Sequence, residues 1–253
     1  MSIPVYAPES TMVCKAISSG RNSVRAFAVS DMSQGAVCAG HGSGSPGGGT
    51  SVILEVDADM PMTSMVRAAI TSMEAVTCVL QDLDVRDSEG NVCSGCSNLS
   101  IAVIRNRGSG TYLRGAGKHS VLGQVIGESV YQAVRESALA NGLSTPSRWG
   151  AISRLERAGA DAMEMMSSRG SVDTSSYLEE LERLSSDEHI RAVAAAMVSI
   201  SDAIRWGLLP EDEGMDMGRS MMGSALGMEI PLRDDLVSAM AEALAVRARS
   251  GVE

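Results

Sequence analysis

The sequence predicts a two-part chain: an α+β domain, a layered sheet with packed helices, over residues 1–145, then an all-α helical bundle over 146–253. Three observations carry this. Short β-rich runs come first, long segments of helical period interleave with strands after them, and beyond "NGLSTPSRWG" only helical period remains. Pro146 with the Gly and Ser around it marks the junction.

In order along the chain, "VRAFAVS" and "GAVCAG" read as strands joined by turns. "GHGSGSPGGGT" is a loop of glycine, serine and proline. "SVILEVDA" is the clearest buried strand. A long helix then starts near Met62 or Thr63, with Val66, Ala69, Ile70, Met73, Val76, Thr77 and Leu80 as its apolar face and Glu74 on the border of that face. "RDSEGN" is a turn and "LSIAVIRN" a further strand. In "RGAGKHSVLGQVIGESVYQAV", Ser120 is a good N-cap, because its hydroxyl can satisfy an orphaned first-turn amide. Leu122, Ile126, Ser129, Val130, Ala133 and Ser137 form the buried stripe behind it, and Gly123 and Gly127 on its flank permit close approach of another backbone. Gly115 and Gly117 supply a tight, flexible lead into the cap. His119 thus stands at a helix N-terminus, where outward amides favour a carbonyl or an anion.

Past the junction, "AISRLERAGADAMEMM", "SYLEELERL" and "HIRAVAAAMVSISDAIRWGLL" are helical in period. Ser185 with Glu188 resembles a capping box before the last of these, and Pro210 with "EDEG" stops it. "MDMGRSMMGSALGM" and "DDLVSAMAEALAVRA" give two more helices of the bundle.

Composition sets limits on function. Of 253 residues 44% are hydrophobic, enough for a real core. One Phe and two Trp against 17 Met leave methionine and alanine to fill the interior. A net charge of −10 argues against a nucleic-acid partner, since phosphate binding needs clustered Lys and Arg. No window is apolar enough to span a bilayer, and "MSIPVYAPES" lacks the features of a secretory signal. Five cysteines, an odd number, suit a reduced cytosolic protein. Self-association into a homo-oligomer stays open.

The local constellations are modest. Cys93 and Cys96 in "CSGC" have the spacing of a zinc half-site or a redox pair, to which Cys78 and His119 could add ligands in space. A polar small-residue loop is the simpler reading, because no second C-x-x-C exists. The glycine loop lacks a Gly-Lys-Ser/Thr ending and is followed by a strand, so it is no P-loop, although it leaves room for a large planar ligand. His41, within that loop, could contact such a ligand, whereas His189 reads as solvated.

Residues 46–140 resemble the adenosylcobinamide amidohydrolases of archaeal corrinoid salvage. The resemblance lies in "PGGGTSVILEVDADMP", "AAITSMEAVTCVLQDLDVRDSEGNVCSGCSNLSIAVI" and "GAGKHSVLGQVIGESVYQAVRESA". The middle stretch is similar to the family's helix with its Thr-Glu-Ala core. The last is similar to its Gly-x-His-Thr-x-Leu-Gly segment, matched by Gly117, His119, Ser120, Leu122 and Gly123. Where the family carries a Thr-Gly-rich run ending in an acidic residue, this chain has "CSGCSNLS", with Asn98 or Leu99 at the acidic position.

The resemblance implies hydrolysis of the amide joining aminopropanol to the corrin ring, with adenosylcobinamide as substrate and no required cofactor. Glu74 is then the general base or acid. His119, with backbone donors near Ser120, polarises the amide carbonyl or holds the oxyanion. Gly47, Gly48, Gly49, Ser94, Cys96, Ser97, Asn98 and Ser120 line the substrate site, and Cys96 is a nucleophile only if given a base and a lowered pKa. The C-terminal part has a fainter likeness to an α-ribazole-phosphate phosphatase fused behind the amidohydrolase in a bifunctional arrangement. That phosphatase's Asp-Glu pair aligns with Arg219 and Ser220, which leaves Asp212, Glu213 and Asp216 as the carboxylates for a divalent metal. Two other readings stay open: a non-catalytic corrinoid-binding or regulatory protein, and a metal or thiol-redox protein using Cys93 and Cys96.

Overall fold

Val13–Ser19 (β1) and Asn22–Asp31 (β2) pair antiparallel around a two-residue loop in which Gly20 takes a φ of 59°. That left-handed position is where tight hairpins favour glycine. The computed structural model describes residues 11–32, 35–40 and 47–252. Ala36–Val37 (β3) stands outside the main sheet, and Gly49–Val56 (β4) continues that sheet antiparallel to β2, with Phe27 opposite Ile53. Met62–Asp82 (α1) then crosses over. After it come Gly95–Cys96 (β5), which forms a separate two-stranded ladder with β3, and Leu99–Arg105 (β6), which lies parallel to β4 with Ala102 beside Ile53. The sheet order is β1-β2-β4-β6. "GAVCAG" therefore contributes only a two-residue strand, and its partner is the CSGC loop.

Strand alternation decides where the core sits. Val24, Ala26, Ala28, Val52, Leu54 and Val56 point to one face and are almost wholly buried. They form one cluster with Val76, Val79 and Leu80 of α1, and with Leu122, Ile126 and Val130 of Val121–Ala140 (α2). Both helices thus cover the same face of the sheet. The residues between, such as Arg25, Ile53 and Ile104, face the other way and keep solvent exposure. Each strand reads apolar towards the helices and mixed on the far side.

The buried stripe of α2 is the one its sequence predicts, from Leu122 to Ser137. The face of α1 agrees with its prediction only at Val76 and Leu80. Val66, Ile70 and Met73 are exposed, and the buried face is Ser64, Ala68, Thr71, Ser72, Ala75, Val76, Val79 and Leu80. Small side chains let α1 lie close to its neighbours, and Ser72 Oγ donates within the helix to Ala68 O at 2.9 Å. Packing distance, rather than side-chain hydrophobicity, selects the face.

The chain divides into two compact units, one carrying residues up to 87 with 91–145, the other 88–90 with residues from 146 onwards. The second unit, after a 3-10 turn at Pro146–Arg148, is helical throughout its described residues: Ala151–Arg157 (α3), Ala162–Ser167 (α4), Thr174–Ser186 (α5), Glu188–Arg205 (α6), Glu211–Leu226 (α7) and Leu236–Val252 (α8). α8 is its axis. Leu236, Ala239, Met240, Ala243, Leu244, Ala245 and Ala248 are all fully buried there, a helix apolar on nearly every side. Met197, Met222 and Met240 are fully buried as well, so methionine does fill this core.

Three local expectations need correction. "AISRLERAGADAMEMM" is two helices, because Gly159 at φ 107° breaks the run. The cap of α6 is Asp187, whose carboxylate accepts from Ile190 N at 3.0 Å, while Ser185 Oγ accepts from Ile152 N at 3.1 Å. Glu211, Asp212 and Glu213 of "EDEG" form the first turn of α7, where negative charge offsets the helix dipole. No helix among the described residues is long and apolar enough to cross a membrane.

Ser137 Oγ accepts from Ser30 N at 2.9 Å and donates to Thr11 O at 2.7 Å, tying α2 to β2 and the chain before β1. Ser137→Ala leaves the buried Ser30 amide unpaired, so urea unfolding should show a loss of about 1–3 kcal/mol. Gly123→Val should cost more, since a Cβ at Gly123 would stand 1.9 Å from Gly117 O.

Candidate active site

One face of α1 holds the loop that leads into α2. Ser64 Oγ donates to Arg114 O at 2.5 Å, Thr71 Oγ1 to Ala116 O at 3.0 Å, and Lys118 Nζ donates to Glu74 Oε1 at 2.9 Å. Ser64, Thr71 and Glu74 are spaced so that an α-helix turns them towards the same neighbour. At the far end of the loop Ser120 closes the cap. Its hydroxyl donates to Gly117 O at 2.8 Å and accepts from Gly123 N at 3.0 Å. Gly123 must be glycine for the loop backbone to pass this close, as the small-residue flank predicts. Gly127 is different: a Cβ there would only touch Thr71 Cγ2 at 4.0 Å.

Between the two helices runs a groove of about 360 Å³, with Ala75, Gly123 and Gly127 among its apolar walls and Glu74, Lys118 and Cys78 at its edge. Glu74 makes this ion pair with both partners half-exposed, so it contributes little to stability. Its consequence is chemical. The Glu74 carboxylate raises the Lys118 ammonium above the usual lysine range by hydrogen bonding and charge, so Lys118 stays cationic at neutral pH.

Sequence reasoning pairs Glu74 with His119, but the residue that meets Glu74 is Lys118, one position earlier. His119 is exposed at the same turn, beside the N-terminus of α2, and is not among the groove walls. Lys118 is legible in "GAGKHS" as a cation just before the cap. Thr71, Cys78 and Tyr131, which also line the groove, carry no motif signal.

The other predicted substrate residues come together at the start of β4 and β6. Thr50 N donates to Asn98 O at 2.9 Å, Asn98 Nδ2 to Gly48 O at 3.1 Å, and Ser97 N to Gly35 O at 2.8 Å. Ser94 Oγ accepts from Ala39 N at 2.8 Å, and Ser94 O accepts from Thr77 Oγ1 at 2.7 Å. A Cβ at Gly35, whose φ is 72°, would stand 1.9 Å from Gly47 O. Gly47, Gly48, Gly49, Ser94, Cys96, Ser97 and Asn98 thus belong to one woven cluster, linked to the groove through α1, where Thr77 follows Glu74 by less than a turn. Most of their polar atoms are spent on the chain itself. His41 lies outside the described residues.

The thiols of the CSGC loop are free and buried. Burial first, then the nearby Asp87 charge, pushes Cys93 up to about 12, and burial likewise raises Cys96. Neither is a thiolate at neutral pH, which removes the lowered pKa that a nucleophilic Cys96 needs. Among the described residues no three His, Cys, Asp or Glu side chains gather as a metal-binding group, and Asp212, Glu213 and Asp216 stand along the start of α7 without converging on such a site.

Two outcomes follow for the cysteines. A colorimetric thiol reagent should modify exposed Cys14 and Cys78 in the native chain, and Cys93 and Cys96 only on unfolding. Because the unfolded Cys93 thiol ionises near 9.0 and the folded one near 12, its contribution is whole below pH 9 and is lost as pH rises through that window. Unfolding free energy should fall there by up to about 1.4 kcal/mol per pH unit, and Cys93→Ala should flatten that slope.

Comparison with known proteins agrees with this part of the chain. The family model described as adenosylcobinamide amidohydrolase matches residues 13–146, which take in the six strands of the described residues, both sheet-covering helices and both clusters. Neither curated proteins nor solved structures give a match. The matched span is more than half of the chain, and the chain belongs to the adenosylcobinamide amidohydrolase family, a family of hydrolases of corrinoid salvage.

Proposed function

We propose that this protein hydrolyses the amide between aminopropanol and the corrin side chain of adenosylcobinamide, releasing adenosylcobyric acid and aminopropanol. The observation that carries this reading is the Glu74–Lys118 pair across the α1–α2 groove, next to His119, in a chain of that family. A groove of about 360 Å³ is small for the whole corrinoid and suits its aminopropanol arm, leaving the macrocycle outside.

In this mechanism the Glu74 carboxylate takes a proton from water, and the hydroxide attacks the amide carbonyl. Lys118 holds Glu74 aimed at the groove through its hydrogen bond. The developing oxyanion is met by Lys118, by the His119 imidazole or by the outward amides at the start of α2. Collapse of the tetrahedral intermediate breaks the C–N bond, and the proton held by Glu74 passes to the leaving amine. Ser120 positions the turn through its cap, and the Gly47–Asn98 cluster frames the substrate beyond the groove. The reading assigns no reaction to the helical unit: a phosphatase there would need its carboxylates to converge on a metal, and Asp212, Glu213 and Asp216 follow one another on a single helix.

Incubation with adenosylcobinamide followed by chromatography should yield adenosylcobyric acid and one equivalent of aminopropanol. Glu74→Gln should lower kcat by about 10²–10⁴ with the fold intact, and His119→Ala by about 10²–10³ if it meets the oxyanion. Binding seen as a shift of the corrin visible spectrum, without product, would replace hydrolysis with a corrinoid-binding role.

A further inference from the structure

The flank of α1 turned away from α2 is apolar and bare. Met62 is 68% exposed, Val66 55%, Ile70 54% and Met73 43%. Their spacing of four, four and three places them on one stripe, opposite Ser64, Thr71 and Cys78, which face α2 and its leading loop. α1 also packs against β6, which closes the sheet on that side. The stripe therefore overhangs the β6 edge.

That edge is unprotected. Among the described residues no strand lies on its outer side. From Leu99 to Ile104 it reads "LSIAVI", with no charge, no proline and no bulge to blunt it. Every residue of β6 keeps some exposure, and Ile104 keeps 48%. β1, the other edge, carries Lys15, ion-paired with Glu136, and ends in two serines.

We propose that β6 and the α1 stripe form the interface of a two-fold homodimer, in which the β6 strands of two copies pair antiparallel and join the two sheets. A strand edge is complementary to itself about a two-fold axis. With the axis at Ala102, the middle of β6, Ile101 meets Val103 of the second copy, Ser100 meets Ile104 and Leu99 meets Arg105. β-Branched pairs face the helix layer, the smallest side chain lies on the axis, and no two like charges meet. The lack of charge from Leu99 to Ile104 and along the stripe matters in a chain of net charge −10, because like-charged surfaces of two copies repel. The stripe and the strand edge are adjoining parts of one surface, since α1 packs against β6.

Light scattering after size exclusion tests this on the full chain. The wild type should run at twice 26.4 kDa, and Val66→Asp with Ile70→Asp should run as the single chain with an unchanged circular-dichroism spectrum. Separately, the oxidised Ala102→Cys variant should give a disulfide-linked dimer on a non-reducing gel. The wild type, with exposed Cys14 on the opposite edge, should not. A wild type that is monomeric at micromolar concentration would leave the stripe to another partner and overturn the proposal. So would a double variant that stays dimeric, or an Ala102→Cys variant that dimerises yet fails to cross-link.

Discussion

The feature on which the rest of the site depends is the way α1 grips the loop at 114–118. Two hydroxyls and a carboxylate on one helix face fix two loop carbonyls and an ammonium. Thr71 is buried, so its bond to Ala116 O satisfies a carbonyl that would otherwise be costly to hide. The Lys118–Glu74 pair is the outermost of the three and the weakest in stability. It is also the one whose groups have chemistry to offer. A rigid inner pair of hydrogen bonds thus presents a reactive outer pair at the edge of a groove.

The same economy recurs in the backbone. Gly123 lets α2 begin directly against the Gly117 carbonyl, so the helix starts at the turn that carries Lys118 and His119. At the other end of the sheet, Gly35 lets the β3 segment lie against Gly47. That crossing, together with Asn98, sets the starts of β4 and β6 relative to each other. Buried Cys93 and Cys96 belong to this structural knot, and their raised pKa values follow from that role.

Much of this is legible in the chain. The N-cap at Ser120, the α2 stripe and the strands around Val52 and Ile101 are readable, because each signal is local and unambiguous. The α1 face is not. Its sequence carries two stripes, one of large apolar residues and one of small and hydroxylated ones, and periodicity alone ranks the larger first. The smaller stripe is buried because it fits the narrow space beside α2, which depends on tertiary packing. Lys118 escapes notice for a related reason: which of two adjacent polar residues turns towards Glu74 is set by the loop geometry, and the imidazole draws attention by its chemistry. The CSGC spacing reads first as a small-residue loop with metal or redox chemistry left open, and the burial of both thiols adds a packing role.

Hydrogen–deuterium exchange of the full chain with and without adenosylcobinamide tests the location of the site most directly. Peptides covering residues 71–78 and 114–131 should exchange more slowly when the corrinoid is present. Protection confined to the opposite face of the sheet or to the helical unit, with those two segments unchanged, would contradict a site between α1 and α2.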